Sequence, residues 1–290
     1  MADTPAPRPR RSALYMPGSN ARALEKGKAL AADVLIFDLE DGVAPEMKDA
    51  ARARIRDAIR GGGYGRRELV VRINGIDSPW FETDIRALAG CGADALLIPK
   101  TDGPDTVRRA SALMADTGAP HGMGIWCMIE TPMGVLNARD IAAAGPRMRA
   151  LLLGSADLGK ELRALPTRDR LPLLTSIGLM ILAARAYGLA VLDAPHFDIS
   201  DDEGFAESCR QGRAYGFDGK TLIHPRTIEA ANAIYGPSEE ELAWARRIIA
   251  AYRAAAAEGK GVTVVDGKLI EGLHVVEAER LIALADAVAG

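Results

Sequence analysis

An α/β fold, specifically a (β/α)8 TIM barrel, is what this 290-residue sequence predicts, on three observations. Short apolar runs return eight times; each is followed by polar or Gly/Pro residues; and the intervening segments carry apolar residues three or four apart, as amphipathic helices do. Runs that are apolar throughout imply a parallel sheet covered by helices on its outer face. Eight βα units in roughly 225 residues suit a closed barrel.

The elements follow in order. The first run, 13–16, passes through Pro17-Gly18-Ser19-Asn20 into a helix over 21–31. That turn feeds a helix N-terminus and contains no GxGxxG, which counts against the alternative, a doubly wound open sheet. The runs 34–39, 69–73, 95–99, 125–129, 150–153, 190–192 and 220–223 complete the strands, with helical spacing over 47–59, 106–115, 171–187 and 202–215. The expected organisation is a disordered lead-in at 1–10, a catalytic barrel at 11–236 and a C-terminal helical arm or lid at 237–290. The arm reads as a helix over 238–258, a turn through Gly259 and Gly261, a β-like stretch 262–270 broken at Asp266-Gly267, and a helix over 275–289.

Composition narrows the function classes. The chain is 48% apolar and 26% charged, with a formal net charge of −3, so no long-range field draws it to nucleic acid or anionic lipid. Cys91, Cys127 and Cys209 are widely spaced and form no CxxC pair, which fits a reducing cytoplasm. No apolar run has the length of a membrane span, and no signal-peptide core follows the basic N-terminus.

In this barrel, chemistry belongs at the C-terminal ends of the strands. Those ends carry Tyr15, then Asp38, Glu40 and Asp41, then Arg72 and Asn74, Lys100, Glu130, Asp157, Asp193 with His196, and His224. Glu130 and Asp157 end neighbouring strands, and two carboxylates converging on the mouth suit Mg2+, with Mn2+ an alternative. The competing reading is that each acid caps a helix or pairs with an arginine. Asp38, Glu40 and Asp41 are candidates to hold metal waters, or are ordinary helix-entry charges. Arg72 is a cation in an apolar strand, placed either to pair with Glu40 or Asp41 or to bind an anionic substrate. Lys100 invites a Schiff-base reading, but acidic surroundings favour a charged, salt-bridged lysine. His196 and His224 are read as capping or core histidines more readily than catalysts. Met133, Trp126 and Ile76 stand as either specificity contacts or core.

The motifs RSALYMPGS, VLIFDLEDGVAPEMKDAAR, VVRING, ALLIPK, MIETPMGVLN, LLLGSADL, GFDGKTLIHP and VVDGKLIEGLHVVEAERL, in that order, resemble the citrate lyase beta-subunit-like or malyl-CoA lyase family of the HpcH/HpaI aldolase superfamily. The resemblance implies a TIM barrel, homotrimeric or homohexameric, that binds Mg2+ and acts on short CoA thioesters with a 2-oxoacid as co-product. It implies Glu130 and Asp157 as metal ligands and Arg72 as the arginine that binds the substrate's carboxylate and oxygen atoms; beside it, Glu40 and Asp41 are taken from their position at the mouth as further catalytic candidates. Tyr15, Arg22 and Lys26 match positions that hold coenzyme A, Lys48 and Arg52 follow the DLEDGVAP motif, whose neighbouring basic residues can reach its phosphates, and His224 at the last strand end is a further cofactor-binding candidate. Where many lyases of the family carry an aspartate in a DGKMID-type sequence, supplied across a subunit interface, this chain offers Glu271. That glutamate resembles the (3S)-malyl-CoA thioesterase branch. The leading expectation is a Mg2+-dependent carbon-carbon lyase of a malyl-, citramalyl- or citryl-CoA-like substrate. Hydrolysis of (3S)-malyl-CoA is the alternative, and a non-catalytic CoA-ester-binding subunit is the third reading.

Overall fold

The computed structural model describes residues 8–290. Among them, eight parallel strands close into a barrel: β1 (Ser12–Pro17), β2 (Val34–Asp38), β3 (Glu68–Arg72), β4 (Ala95–Ile98), β5 (Gly124–Ile129), β6 (Met148–Leu153), β7 (Ala190–Asp193) and β8 (Gly219–Leu222). The helices are α1 (Ala21–Gly27), α2 (Lys48–Gly61), α3 (Phe81–Leu88), α4 (Pro104–Asp116), α5 (Pro132–Leu136), α6 (Ala138–Ala142), α7 (Ser155–Glu161), α8 (Leu174–Ala186), α9 (Asp202–Tyr215), α10 (Ile228–Tyr235), α11 (Glu239–Ala257) and α12 (Gly272–Ala289). A second antiparallel pair, β9 (Thr263–Val265) and β10 (Lys268–Ile270), completes the elements. No helix of the described residues is long and apolar enough to cross a membrane.

The chain divides into two compact units, Arg10–Asn232 and Ala233–Gly290. In the first, side chains alternate between barrel interior and helix layer because the strand repeat is two residues. Ala13, Val34, Ile36, Val70, Leu97, Trp126, Met128 and Leu152 fill the interior. Leu35, Phe37, Val71, Cys127 and Leu151 alternate with them and are equally buried. Trp126 and Cys127 are therefore packing residues. Carrying the inward series one step further along three strands explains the mouth: Ile36 leads to Asp38, Val70 to Arg72, and Met128 to Glu130. The parallel register then sets Asp38 directly beside Arg72.

Three boundaries differ from expectation. The helix over 21–31 stops as α-helix at Gly27, and Lys28, Ala29 and Leu30 continue it with tighter i→i+3 bonds. The 171–187 segment opens with a 3-10 turn, Leu171–Leu173, because Pro172 fits a first turn but no interior helical position. The last helix starts at Gly272, with Glu271 at its N-cap. The expected lead-in at 1–10 lies outside the described residues up to residue 7. Its last member, Arg10, is engaged, with Nε 2.6 Å from Glu68 and the guanidinium over the Trp126 ring.

The second unit packs α11 and α12 through Ala245, Ile248, Ile249, Ile270 and Ala278. Ser238 and Glu241 form a capping box at the start of α11. Asp266 and Gly267 both have positive φ, 49° and 77°, as a two-residue hairpin turn between β9 and β10 requires.

Barrel closure is the tightest backbone contact. β8 begins at Gly219, where a Cβ would overlap the Arg10 and Arg11 carbonyl groups, and Lys220 N donates to Arg11 O at 3.1 Å. Gly219→Ala is expected to destabilise the barrel by about 1–3 kcal/mol, the usual cost of overpacking. A thermal melt showing an unchanged midpoint would contradict this.

Candidate active site

Arg72 is the centre of the mouth. Its Nε and Nη2 each donate at 2.7 Å to the two oxygens of Asp38, and Nη1 lies 2.9 Å from Glu40 Oε2. Burial opposes the guanidinium charge, but the Asp38 hydrogen bonds outweigh it and hold the arginine above its ordinary pKa. Asp38 is fixed in turn by accepting from Glu40 N and Gly42 N, both at 2.9 Å. Asp41 is exposed and 4.0 Å from Arg72 Nη1. The Tyr15 ring lies 4.8 Å under the guanidinium, with its hydroxyl 3.7 Å from Met128 Sδ, and burial raises the phenol's pKa. Tyr15 thus belongs to the arginine's support, not to the exposed basic residues of α1.

Lys100 performs two jobs. Its ammonium pairs with Glu40, and its backbone N–H donates to Glu130 Oε1 at 2.7 Å. That N–H is aimed by a left-handed backbone, φ 46°, which a non-glycine residue holds only where its surroundings enforce it. Burial alone would lower the lysine's pKa, yet the Glu40 hydrogen bond raises it, the wrong direction for an amine nucleophile.

Glu130 is buried, 1% exposed, and has no ion-pair partner among the described residues. Burial, with Glu40 and Asp157 adding repulsion, pushes its carboxyl up to about 7 against the Lys100 hydrogen bond. Asp157 stands in the first turn of α7 and likewise pairs with no cation among the described residues. Gly154 matters here: a Cβ on it would overlap the Glu130 carboxylate and Cβ. The bare backbone of the LLLGSAD turn therefore forms a cradle for that carboxylate. Two uncommitted acids, one buried and destabilised as an anion, fit a divalent cation that keeps most of its waters. No group of three or more His, Cys, Asp or Glu able to hold a metal occurs among the described residues, so the fit is to Mg2+ or Mn2+ rather than zinc.

The expected coenzyme A group does not gather as one patch. Arg22 and Lys26 are exposed on α1. Arg52 is buried, with Nε 2.6 Å from Asp84 and Nη1 2.5 Å from Asp49, so its guanidinium is engaged in ion pairs rather than presented with the exposed Arg22 and Lys26. Freeing it would strand Asp84, which also accepts from Asn74 N and Nδ2. Lys48 donates to the carbonyls of Leu39 and Glu40 at 2.7 and 2.8 Å, and burial lowers its pKa. It nonetheless borders a cleft of about 540 Å³ with Glu40, Lys100, Ile76 and Trp80. Ile76 thereby joins the candidate site, while Met133 is an exposed residue of α5. His224 is exposed, and its Nδ1 accepts from Arg226 N to cap a 3-10 turn. Glu271 is half-buried at the α12 N-cap, where its N–H donates to His274 Nδ1 at 3.0 Å.

Asp84 and Gly154 are the site-supporting residues that sequence reasoning missed. An aspartate between Phe81, Ile85 and Leu88 on an apolar helix face was a legible signal for Asp84. Gly154 offered only its place at a strand end, since its need to be small arises from Glu130 on the next strand.

These features fall within a single family. The HpcH/HpaI aldolase/citrate lyase family model matches residues 11–225, and the chain belongs to that family. It is 46% identical over 281 residues to a (3S)-malyl-CoA thioesterase of Cereibacter sphaeroides, covering 97% of this chain and 96% of that protein. To the L-malyl-CoA/beta-methylmalyl-CoA lyase of the same species it is 36% identical, covering 97% of each. The crystal structure of CitE from Mycobacterium tuberculosis in complex with magnesium, acetoacetate and coenzyme A superposes with a TM-score of 0.78 at 32% identity, covering 95% of this chain and 97% of that one.

Two outcomes test the carboxylate arrangement. Glu130 is ordinarily ionised above pH 4.5 but in the metal-free fold only above about 7, so stability is lost as pH rises between those values. Glu130→Gln is expected to unfold at a higher temperature than the parent at pH 8 in chelator, by on the order of 2–3 kcal/mol, and equally at pH 4. Mg2+ should raise the parent's midpoint and not the variant's. Gly154→Ala should weaken Mg2+ binding about tenfold or more while the circular dichroism spectrum stays unchanged; titration calorimetry giving parental affinity would refute the cradle.

Proposed function

We propose that this chain is a thioesterase of short hydroxydicarboxyl-CoA esters, hydrolysing (3S)-malyl-CoA to malate and coenzyme A. The observation that carries the reading is the 46% identity to a (3S)-malyl-CoA thioesterase along 97% of the chain, against 36% to the lyase. This reverses the order expected from the sequence, in which carbon-carbon cleavage led. The lyase reading stays second, favoured by the Arg72, Glu130 and Asp157 group that the family resemblance ties to cleavage.

Glu130 and Asp157 would hold Mg2+ or Mn2+, whose charge, when bound, polarises a substrate oxygen. Arg72, locked by Asp38 and Glu40, presents its remaining N–H groups to the substrate carboxylate. The cleft beside Glu40 and Lys100 offers room for the acyl end, and the exposed Arg22 and Lys26 suit coenzyme A phosphates. Glu271 would take the proton of the attacking water: the water oxygen bonds to the thioester carbon, the carbon-sulfur bond breaks, and the thiolate leaves to be protonated. A homotrimer or homohexamer in which a neighbouring subunit supplies Glu271 is part of this reading.

With (3S)-malyl-CoA and Mg2+, free coenzyme A and malate are the expected products; acetyl-CoA with glyoxylate in their place would transfer the assignment to the lyase. Glu271→Gln is expected to slow hydrolysis about a hundredfold. Mixing Arg72→Met and Glu271→Gln proteins, each strongly impaired, should raise activity above the sum of the two if subunits share a site, and leave it at that sum if each site uses its own Glu271.

A further inference from the structure

A second cluster lies at the C-terminal ends of the strands, away from Arg72. Asp193, fully buried, is shared by two cations: Arg170 Nη1 at 2.6 Å from Oδ1 and Lys220 Nζ at 2.8 Å from Oδ2. Its remaining capacity is used by Ala194 N, which donates to Oδ1 at 2.8 Å. A buried lysine and a partly buried arginine on one carboxylate leave a local excess of positive charge that favours an anion beside them.

The same residues border a cleft of about 360 Å³. Arg170 Nη2 and His196 Nε2 are both buried there without a hydrogen-bond partner; Asp201 Oδ2 lies 3.9 Å from that histidine nitrogen, and Asp198 is a further carboxylate in the histidine's electrostatic reach. Glu207, the acid among the described residues lining the cleft, is exposed and paired with Arg210. Arg168 is exposed and paired with Asp201. Arg170 itself is held by Gln211, which accepts from Nε at 2.6 Å, and by the Tyr215 ring 5.3 Å away. Its backbone is left-handed, φ 55°, a strained placement that fixes where the guanidinium points.

We infer that this cleft binds the carboxylate of a small organic acid. The unpartnered Arg170 and His196 nitrogens supply donors, Ser208 a hydroxyl, and the excess charge of the Arg170–Asp193–Lys220 group the electrostatic attraction. Pro195 and Phe197 give an apolar wall that a carbon skeleton uses and an inorganic anion does not. A volume near the lower limit for ligand pockets fits a short acid. The inference does not depend on the proposed hydrolysis, since none of these groups takes part in it.

The test uses metal-free full-length protein titrated with succinate, inorganic phosphate and coenzyme A, followed by calorimetry. Succinate is expected to bind, with affinity at least tenfold lower in Arg170→Met and in His196→Phe, and unchanged in Glu130→Gln. Arg170→Met leaves Asp193 paired one-to-one with Lys220, and His196→Phe keeps the ring, so either variant suffices if the other fails to fold. Succinate binding that both variants leave intact, no succinate binding, or equal binding of phosphate would overturn the inference.

Discussion

The Asp38–Arg72 pair is the interaction on which the rest of the mouth depends. A bidentate arginine-carboxylate contact between adjacent strands satisfies both groups where water is scarce, and it fixes the orientation of each. Glu40, drawn to Arg72 on one side and Lys100 on the other, extends the network to β4. Lys100 then hands it to β5 through its backbone N–H on Glu130. Four strands are thus tied in sequence by charges that neutralise one another. What remains after Asp38 pairs with Arg72, and Glu40 with Lys100, is Glu130 and Asp157, two acids with no cation partner among the described residues, which is the feature that fits the proposed divalent cation.

On the β7–β8 side the buried arrangement is reversed: Arg170 and Lys220 share the single carboxylate of Asp193. A formal net charge of −3 for the whole chain conceals both features. Local stoichiometry of buried charge, not the overall balance, indicates which ligands each side accepts.

Within this family the barrel site is compatible with more than one outcome, because polarising a carbonyl and anchoring a carboxylate serve cleavage and hydrolysis alike. In the proposed reading the decision falls to Glu271, as the group that would move the proton. Glu271 differs from an aspartate by one methylene, enough to alter alignment with water or with an enolate. It lies in a separate compact unit from Arg72, Glu130 and Asp157.

The sequence by itself determined the barrel, because eight apolar runs alternating with helical spacing leave few other ways to bury the chain. It also determined which acids and which arginine face the mouth, since a two-residue repeat carries Ile36 to Asp38, Val70 to Arg72 and Met128 to Glu130. Tertiary structure alone decided who pairs with whom. That α3 sets Asp84 against Arg52, and that Arg72 lies over the Tyr15 ring, could not be read from the sequence. Lys100 contributes through a backbone N–H that no sequence pattern marks, and Gly154 is constrained by a side chain on the neighbouring strand. Pairings across strands join residues far apart in the chain, and composition and periodicity report only on near neighbours.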